Sequence, residues 1–196
     1  MVVSTAPGDG SESELVSRAV HELVRRTGFP VAFGGLIDDG AGGAGGEVSV
    51  TSIVGNRTRR LDGLRVRPER GLGGRAMTEQ RPRMTSDYGS SRQITHDYDG
   101  FVLGEGLRTL LALPIIVDGR ARGVLYAGAW ESAPAGGVST APAMQVARSV
   151  AEELRIRDEV QRRLGAASAA AAEVPAAHRA EPRAAFVELR SIADAR

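Results

Sequence analysis

The sequence predicts an α+β fold with an antiparallel sheet covered on both faces, and three observations carry that expectation. Residues 107–130, LRTLLALPIIVDGRARGVLYAGAW, form two apolar runs around Asp118-Gly119, a dipeptide that accepts positive φ at low cost and so makes a hairpin turn. Alternation sets Leu111, Leu113, Ile115 and Val117 on one face and Leu110, Ala112 and Ile116 on the other, which places this hairpin at the centre of a doubly covered sheet. Helical periodicity flanks the strand-like runs at both ends of the chain.

In chain order, residues 1–10 are small and polar and read as a disordered N-terminus. Ser11 or Ser13 then caps a helix, with Glu14 three residues after Ser11 and Leu15, Val16, Ala19, Leu23 and Val24 at helical spacing up to Gly28 and Pro30. Residues 31–38 read as a buried strand and 47–54 as its antiparallel neighbour. The glycine run 40–46 between them is not a phosphate loop, because no Gly-Lys-Ser/Thr and no helix follow it. Residues 70–80 read as a short helix opened by glycines. Gly71, Gly73 and Ala76 fit a dinucleotide fingerprint, but the charged, Pro68-containing segment before them cannot be its first strand. A short strand at 81–88 leads into a polar excursion at 89–100. After the hairpin, 138–164 reads as a long helix, 165–181 as an Ala-rich linker or frayed continuation, and 182–196 as an amphipathic segment carrying Phe186, Leu189 and Ile192. That segment either leads toward an output module or docks back. The domain proper is expected to span 11–164.

Composition narrows the chemistry. With no cysteine in 196 residues, disulfides, thiolate nucleophiles and cysteine-ligated metals are excluded. The net charge of +1 gives no general pull toward nucleic acid, and no direct nucleic-acid binding is expected. All 25 basic residues are arginine, which with the Ala and Gly excess points to a GC-rich bacterial genome. The longest apolar runs are too short to span a bilayer, and the acidic N-terminus is unlike a secretory signal, so a cytoplasmic protein without membrane contact is expected.

The order of elements, with GLGGRAMTEQRPRMTSDY (71–88) and LRTLLALPIIVDGRARGVLYAG (107–128), resembles the GAF domain family. The second stretch holds Leu113-Pro114-Ile115, Asp118-Gly119 and Gly123-Val124-Leu125, and the likeness covers roughly residues 12–164. It implies a central antiparallel sheet with the terminal helices on one face and a ligand-binding lobe on the other. More loosely, the chain resembles the N-terminal GAF region of bacterial LuxR-type transcription factors, in which a helical linker leads to a helix-turn-helix module. The departures disfavour cyclic-nucleotide binding, whose signature cannot be complete without lysine, and exclude bilin attachment and methionine sulfoxide reduction, which depend on cysteine.

A small-molecule site, if the lobe holds one, is expected in the polar stretch, with Arg83, Thr85, Asp87, Tyr88, Arg92, His96, Tyr98 and Phe101 as its lining and Tyr88, His96 and Tyr98 as its main contacts. Tyrosine offers a flat apolar face with a hydroxyl, and arginine a fork for carboxylate or phosphate. The competing reading is a solvated lid loop. A metal held by His96 with Asp87, Asp97 or Asp99 is disfavoured, since His21 and His178 lie in distant segments. No nucleophile or acid–base pair stands out, so neither an enzyme nor a cofactor is expected. A modest homodimer is expected through Leu15 and Leu23 of the first helix and an imperfect seam of Val150, Leu154 and Leu164 on the last, exposed in a monomer. The alternative to ligand sensing is a structural dimerisation or protein-interaction domain.

Overall fold

A computed structural model describes residues 9–37, 46–132 and 139–172. The chain divides into two units, Met1–Ile156 and Arg157–Arg196. The first carries α1 (Asp9–Thr27), β1 (Val31–Leu36), β2 (Val48–Ser49), β3 (Ser52–Val54), β4 (Arg65–Val66), α2 (Gly71–Glu79), β5 (Arg83–Thr85), α3 (Asp99–Val102), β6 (Thr109–Val117) and β7 (Arg120–Ala129). Helix α4 (Ala141–Ala172) begins in the first unit and continues into the second.

A five-stranded sheet in the order β3-β1-β7-β6-β5 is antiparallel throughout. Both hairpin strands are therefore interior, as their double-sided apolarity requires. The turn residues Asp118 and Gly119 have φ of 49° and 74°, the left-handed region that Asp and Gly tolerate. One face packs Leu111, Leu113, Ile115, Val117 and Leu125 against Leu15, Leu23, Val150 and Leu154 of α1 and α4. The other packs Phe33, Leu110, Ala112, Val124 and Tyr126 under the lobe, whose side chains include Leu61, Leu64, Leu72, Met77 and Tyr88. Ile116, placed with Leu110 by simple alternation, is only half-buried, and the register shifts between Ile115 and Ile116.

Three boundaries differ from the sequence expectation. Helix α1 starts at Asp9, so Ser11 and Ser13 lie inside it and neither is its cap. The strand expected at 47–54 is broken at Val50–Thr51: β3 pairs with β1, while β2 pairs with β4 in a separate two-stranded sheet. Gly35 permits this, because a Cβ there would collide with the Ser49 carbonyl as the chain crosses β1. The last helix runs past Leu164 to Ala172, so the Ala-rich stretch begins as helix. The N-terminus at 1–8, residues 40–45 of the glycine run and the 182–196 segment with Phe186, Leu189 and Ile192 lie outside the described residues.

Candidate functional site

The lobe is organised around the glycine-led start of α2. Gly73 lets the helix approach Tyr126, whose hydroxyl would strike any Cβ there, and Gly71, at φ 59°, does the same for the Tyr98 ring. Tyr126 stacks on Phe33 at 4.5 Å. Tyr98 accepts a hydrogen bond from the Arg67 amide at 2.9 Å, and the Gly71 amide donates to Thr95 Oγ1 at 2.7 Å. These contacts tie the 91–99 stretch to the front of α2.

Of the expected contacts, Tyr88 goes deepest. It is 1% exposed, and its hydroxyl is shielded from water with no hydrogen-bond partner among the described residues. Burial pushes its phenol pKa up, as it does for Tyr126. The His96 ring meets Tyr88 edge-on at 5.8 Å. Both imidazole nitrogens face acceptors, Nδ1 toward Asp99 Oδ1 at 2.8 Å and Nε2 toward the Ser91 carbonyl at 3.0 Å. The Asp99 bond, then the Ser91 bond, raise the His96 pKa. Phe101 is half-buried against the same lobe cluster.

The remaining expected residues do not join this group. Arg83 bonds Glu79 at the far end of α2, about 12 Å from its glycine start at 1.5 Å per residue. Arg75, then Arg83 and Arg81, pull the Glu79 carboxyl down to about 2. Thr85 Oγ1 donates to the Asp87 carbonyl, and the Asp87 carboxylate accepts from Arg108 at 3.3 Å. Arg92 is exposed and borders a surface depression of about 450 Å³ shared with Arg75, Thr78 and Thr95. A second depression of about 300 Å³ lies among Glu47, Arg65, Arg67, Arg70, Asp97 and Tyr98, where Arg70 sits 3.6 Å from Asp97. No group of three metal-ligating side chains occurs among the described residues, and His96 is occupied by Asp99 and Ser91.

The sequence matches the GAF domain family over residues 9–156. The chain belongs to that family. A relative, the HTH-type transcriptional activator RamA of Corynebacterium glutamicum, is 31% identical over 152 residues, covering 77% of this chain and 52% of RamA. The chain thus spans about half the length of that relative. Among solved structures, a domain of a sensor histidine kinase from Sinorhizobium meliloti matches with a TM-score of 0.57 at 17% identity, over 82% of this chain and 99% of that one. A free methionine-R-sulfoxide reductase from Thermoplasma acidophilum matches with a TM-score of 0.54 at 14% identity, over 74% and 92%. Both likenesses establish the shared fold alone.

This GAF domain also holds a polar site that sequence reasoning missed. Glu105, 3% exposed, accepts hydrogen bonds from the Thr58 amide at 3.0 Å and from the Arg57 amide and Thr58 hydroxyl. The Arg57 guanidinium lies 3.5 Å from the Trp130 ring centroid. The only trace in the sequence is an acid between two glycines, Gly104-Glu105-Gly106, just before an apolar strand. The expected dimer seam needs correction as well. Leu15, Leu23, Val150 and Leu154 are at most 4% exposed and already packed within one chain, with Arg18 and Glu153 bridging α1 and α4 at 2.9 Å above them. Their helical spacing is satisfied by the sheet; only Leu164, 58% exposed, remains open.

Proposed function

We propose that this GAF domain is the small-molecule-sensing part of a cytoplasmic bacterial transcriptional regulator and performs no chemistry itself. The Tyr88 hydroxyl carries the reading. A buried polar atom left unsatisfied costs about 1–3 kcal/mol, and such atoms are rare in native interiors. A ligand polar group entering the lobe beneath the 91–99 stretch would satisfy it, with Tyr98 and His96 as the neighbouring contacts. RamA supplies the regulatory context, as an HTH-type activator sharing this region. Non-catalysis is supported by the absence of cysteine and by the engagement of His96, Asp99 and Glu105 in structural hydrogen bonds.

A second reading has its own support. Phe33, Leu110, Val124 and Tyr126 are at most 3% exposed, so the lobe is already packed by its own side chains, as a structural or protein-interaction domain would be. Tyr88→Phe separates the two. Native mass spectrometry and a thermal-shift screen against a metabolite library give the ligand, whose binding raises stability by RT ln(1 + [L]/Kd). Sensing through the lobe requires that Tyr88→Phe lose most of that shift while melting no lower than the parent without ligand. A ligand shift that survives Tyr88→Phe, or no shift with any compound, favours the structural reading.

A further inference from the structure

Glu69 takes the left-handed backbone region, φ 65°, a strain that glycine would avoid. Its amide donates to Thr78 Oγ1 at 3.2 Å, and the chain before it crosses α2 so closely at Gly74 that a Cβ there would strike the Arg67 carbonyl. Two other side chains among the described residues sit on positive φ, and each has a local reason. Gln80 donates its side-chain amide to the Gly119 carbonyl at 2.6 Å, and Asp118 belongs to the hairpin turn. The Glu69 carboxylate has no such reason: the residue is exposed, and its side chain meets no partner among the described residues.

That carboxylate borders the depression of about 450 Å³ between α2 and the 92–95 stretch. Two hydrogen bonds join the walls, from the Gly71 amide to Thr95 Oγ1 at 2.7 Å and from the Arg75 guanidinium to the Gln93 carbonyl. Arg75 also pairs with Glu79 at 2.7 Å, and Glu79 takes Arg81 and Arg83 as well, so these charges are committed. Two charges of the lining are left. One is the Glu69 carboxylate on the α2 wall. The other is the Arg92 guanidinium on the facing stretch, which likewise meets no partner among the described residues.

We infer that this depression binds a free amino acid, whose ammonium pairs with Glu69 and whose carboxylate is taken by the Arg92 fork. A simple anion on Arg92 would sit beside an uncompensated Glu69, and a simple cation on Glu69 beside an uncompensated Arg92. A neutral zwitterion satisfies both, so the charge pattern selects by repulsion as well as attraction. The volume lies within the range of small-molecule sites and leaves room for a side chain against the half-buried Ile94. Both charged residues are exposed, so affinity is modest. Binding adds a third tie between α2 and the stretch that covers Tyr88, and so fastens that cover from outside. Tyr88 does not line the depression, and the inference holds whether or not the lobe takes a ligand.

Isothermal titration of the full chain with each of the standard amino acids tests the site. At least one should bind with a dissociation constant between about 0.1 and 5 mM, as a few exposed ion pairs allow. Both charges of the ligand should be needed. For leucine, 3-methylbutylamine lacks the carboxylate and 4-methylpentanoate the amino group, and each should bind about ten-fold more weakly or not at all. Glu69→Gln and Arg92→Gln, both at the surface, should each lower affinity about ten-fold without lowering the melting temperature. Amide exchange at 92–95 should slow on binding. Tyr88→Phe should bind as the parent does. No binding by any amino acid at about 10 mM, equal binding of the amine or the acid, or affinity that survives both substitutions would each overturn the inference. So would binding that Tyr88→Phe abolishes, which would put the amino acid in the lobe and leave the lobe reading standing.

Discussion

The two faces of the central sheet are built from the same strands and differ in almost everything else. Under α1 and α4, the buried cluster is aliphatic but for Phe29, and its partners are two long helices. Under the lobe, β4, α2 and the long stretch between β5 and β6 cover the sheet, all three tyrosines of the chain gather, and Glu105 is buried. An aliphatic face closed by helices is held by area and packing and has one good arrangement. A face closed by short elements and hydrogen-bonded stretches, with an unpartnered hydroxyl inside, can change its cover at low cost. The difference predicts that charging the helix face costs more stability than charging the cover of the lobe.

The largest effect should come from charging the helix face. Ile115 is fully buried there, and Ile115→Asp places an unpaired carboxylate among Leu and Val side chains. The expected loss is about 4 kcal/mol or more, comparable with the whole stability of a domain this size. Circular dichroism and denaturant titration should show an unfolded or insoluble protein. Phe101→Asp, on the half-buried cover of the lobe, should by contrast leave a cooperative transition. If the two variants unfold alike, the asymmetry between the faces is wrong.

Glu105→Ala probes the lobe more finely. It removes the acceptor from the Arg57 and Thr58 amides and should cost about 2 kcal/mol, the penalty for stranding part-buried donors. The damage should stay local. Trp130, the only tryptophan, should report release of Arg57 by a change in emission, while amide exchange in α1 and β6 stays slow. Rapid exchange in α1 would mean that the faces share one cooperative unit.

The sequence disclosed the helix face far better than the lobe, for a physical reason. Alternation in 107–130 and helical spacing from Leu15 to Val24 are periodic signals that burial writes directly into residue type. The lobe's contacts are singular: Glu105 with the 57–58 amides, Tyr98 with Gly71, Gly35 under Ser49. Each joins residues distant in sequence through backbone atoms, which leave no pattern in side-chain identity. The polar stretch offered Tyr88, His96 and Tyr98 as ligand contacts together with Arg83 and Asp87, and nothing in residue type told the three that gather at the lobe from the two whose partners lie elsewhere. The dimer seam shows the opposite error. Apolar spacing on α4 marks what must be buried without saying whether sheet or partner does the burying.

The smallest effect tests whether the lobe's cover answers to pH. His96 faces an acceptor on each ring nitrogen, and its own surroundings supply the Asp99 carboxylate, the Ser91 carbonyl and the Tyr88 ring edge, with Asp97 beside it in the chain. Two acceptors are best served by the doubly protonated ring, so the folded-state pKa rises above the ordinary 6.5. A pKa higher in the folded than in the unfolded state stabilises the fold fully below the unfolded value and loses that stabilisation as pH climbs through the folded one. The melting difference between the parent chain and His96→Gln should therefore be largest near pH 6 and shrink on the alkaline side of about 6.5. The change should be about one degree, since both partners are more than a third exposed and water screens them. Exchange protection of the 91–99 amides should follow the same curve while β6 and β7 stay indifferent. A difference that grows with pH would mean that His96 sits neutral in the fold, with Asp99 held by something else.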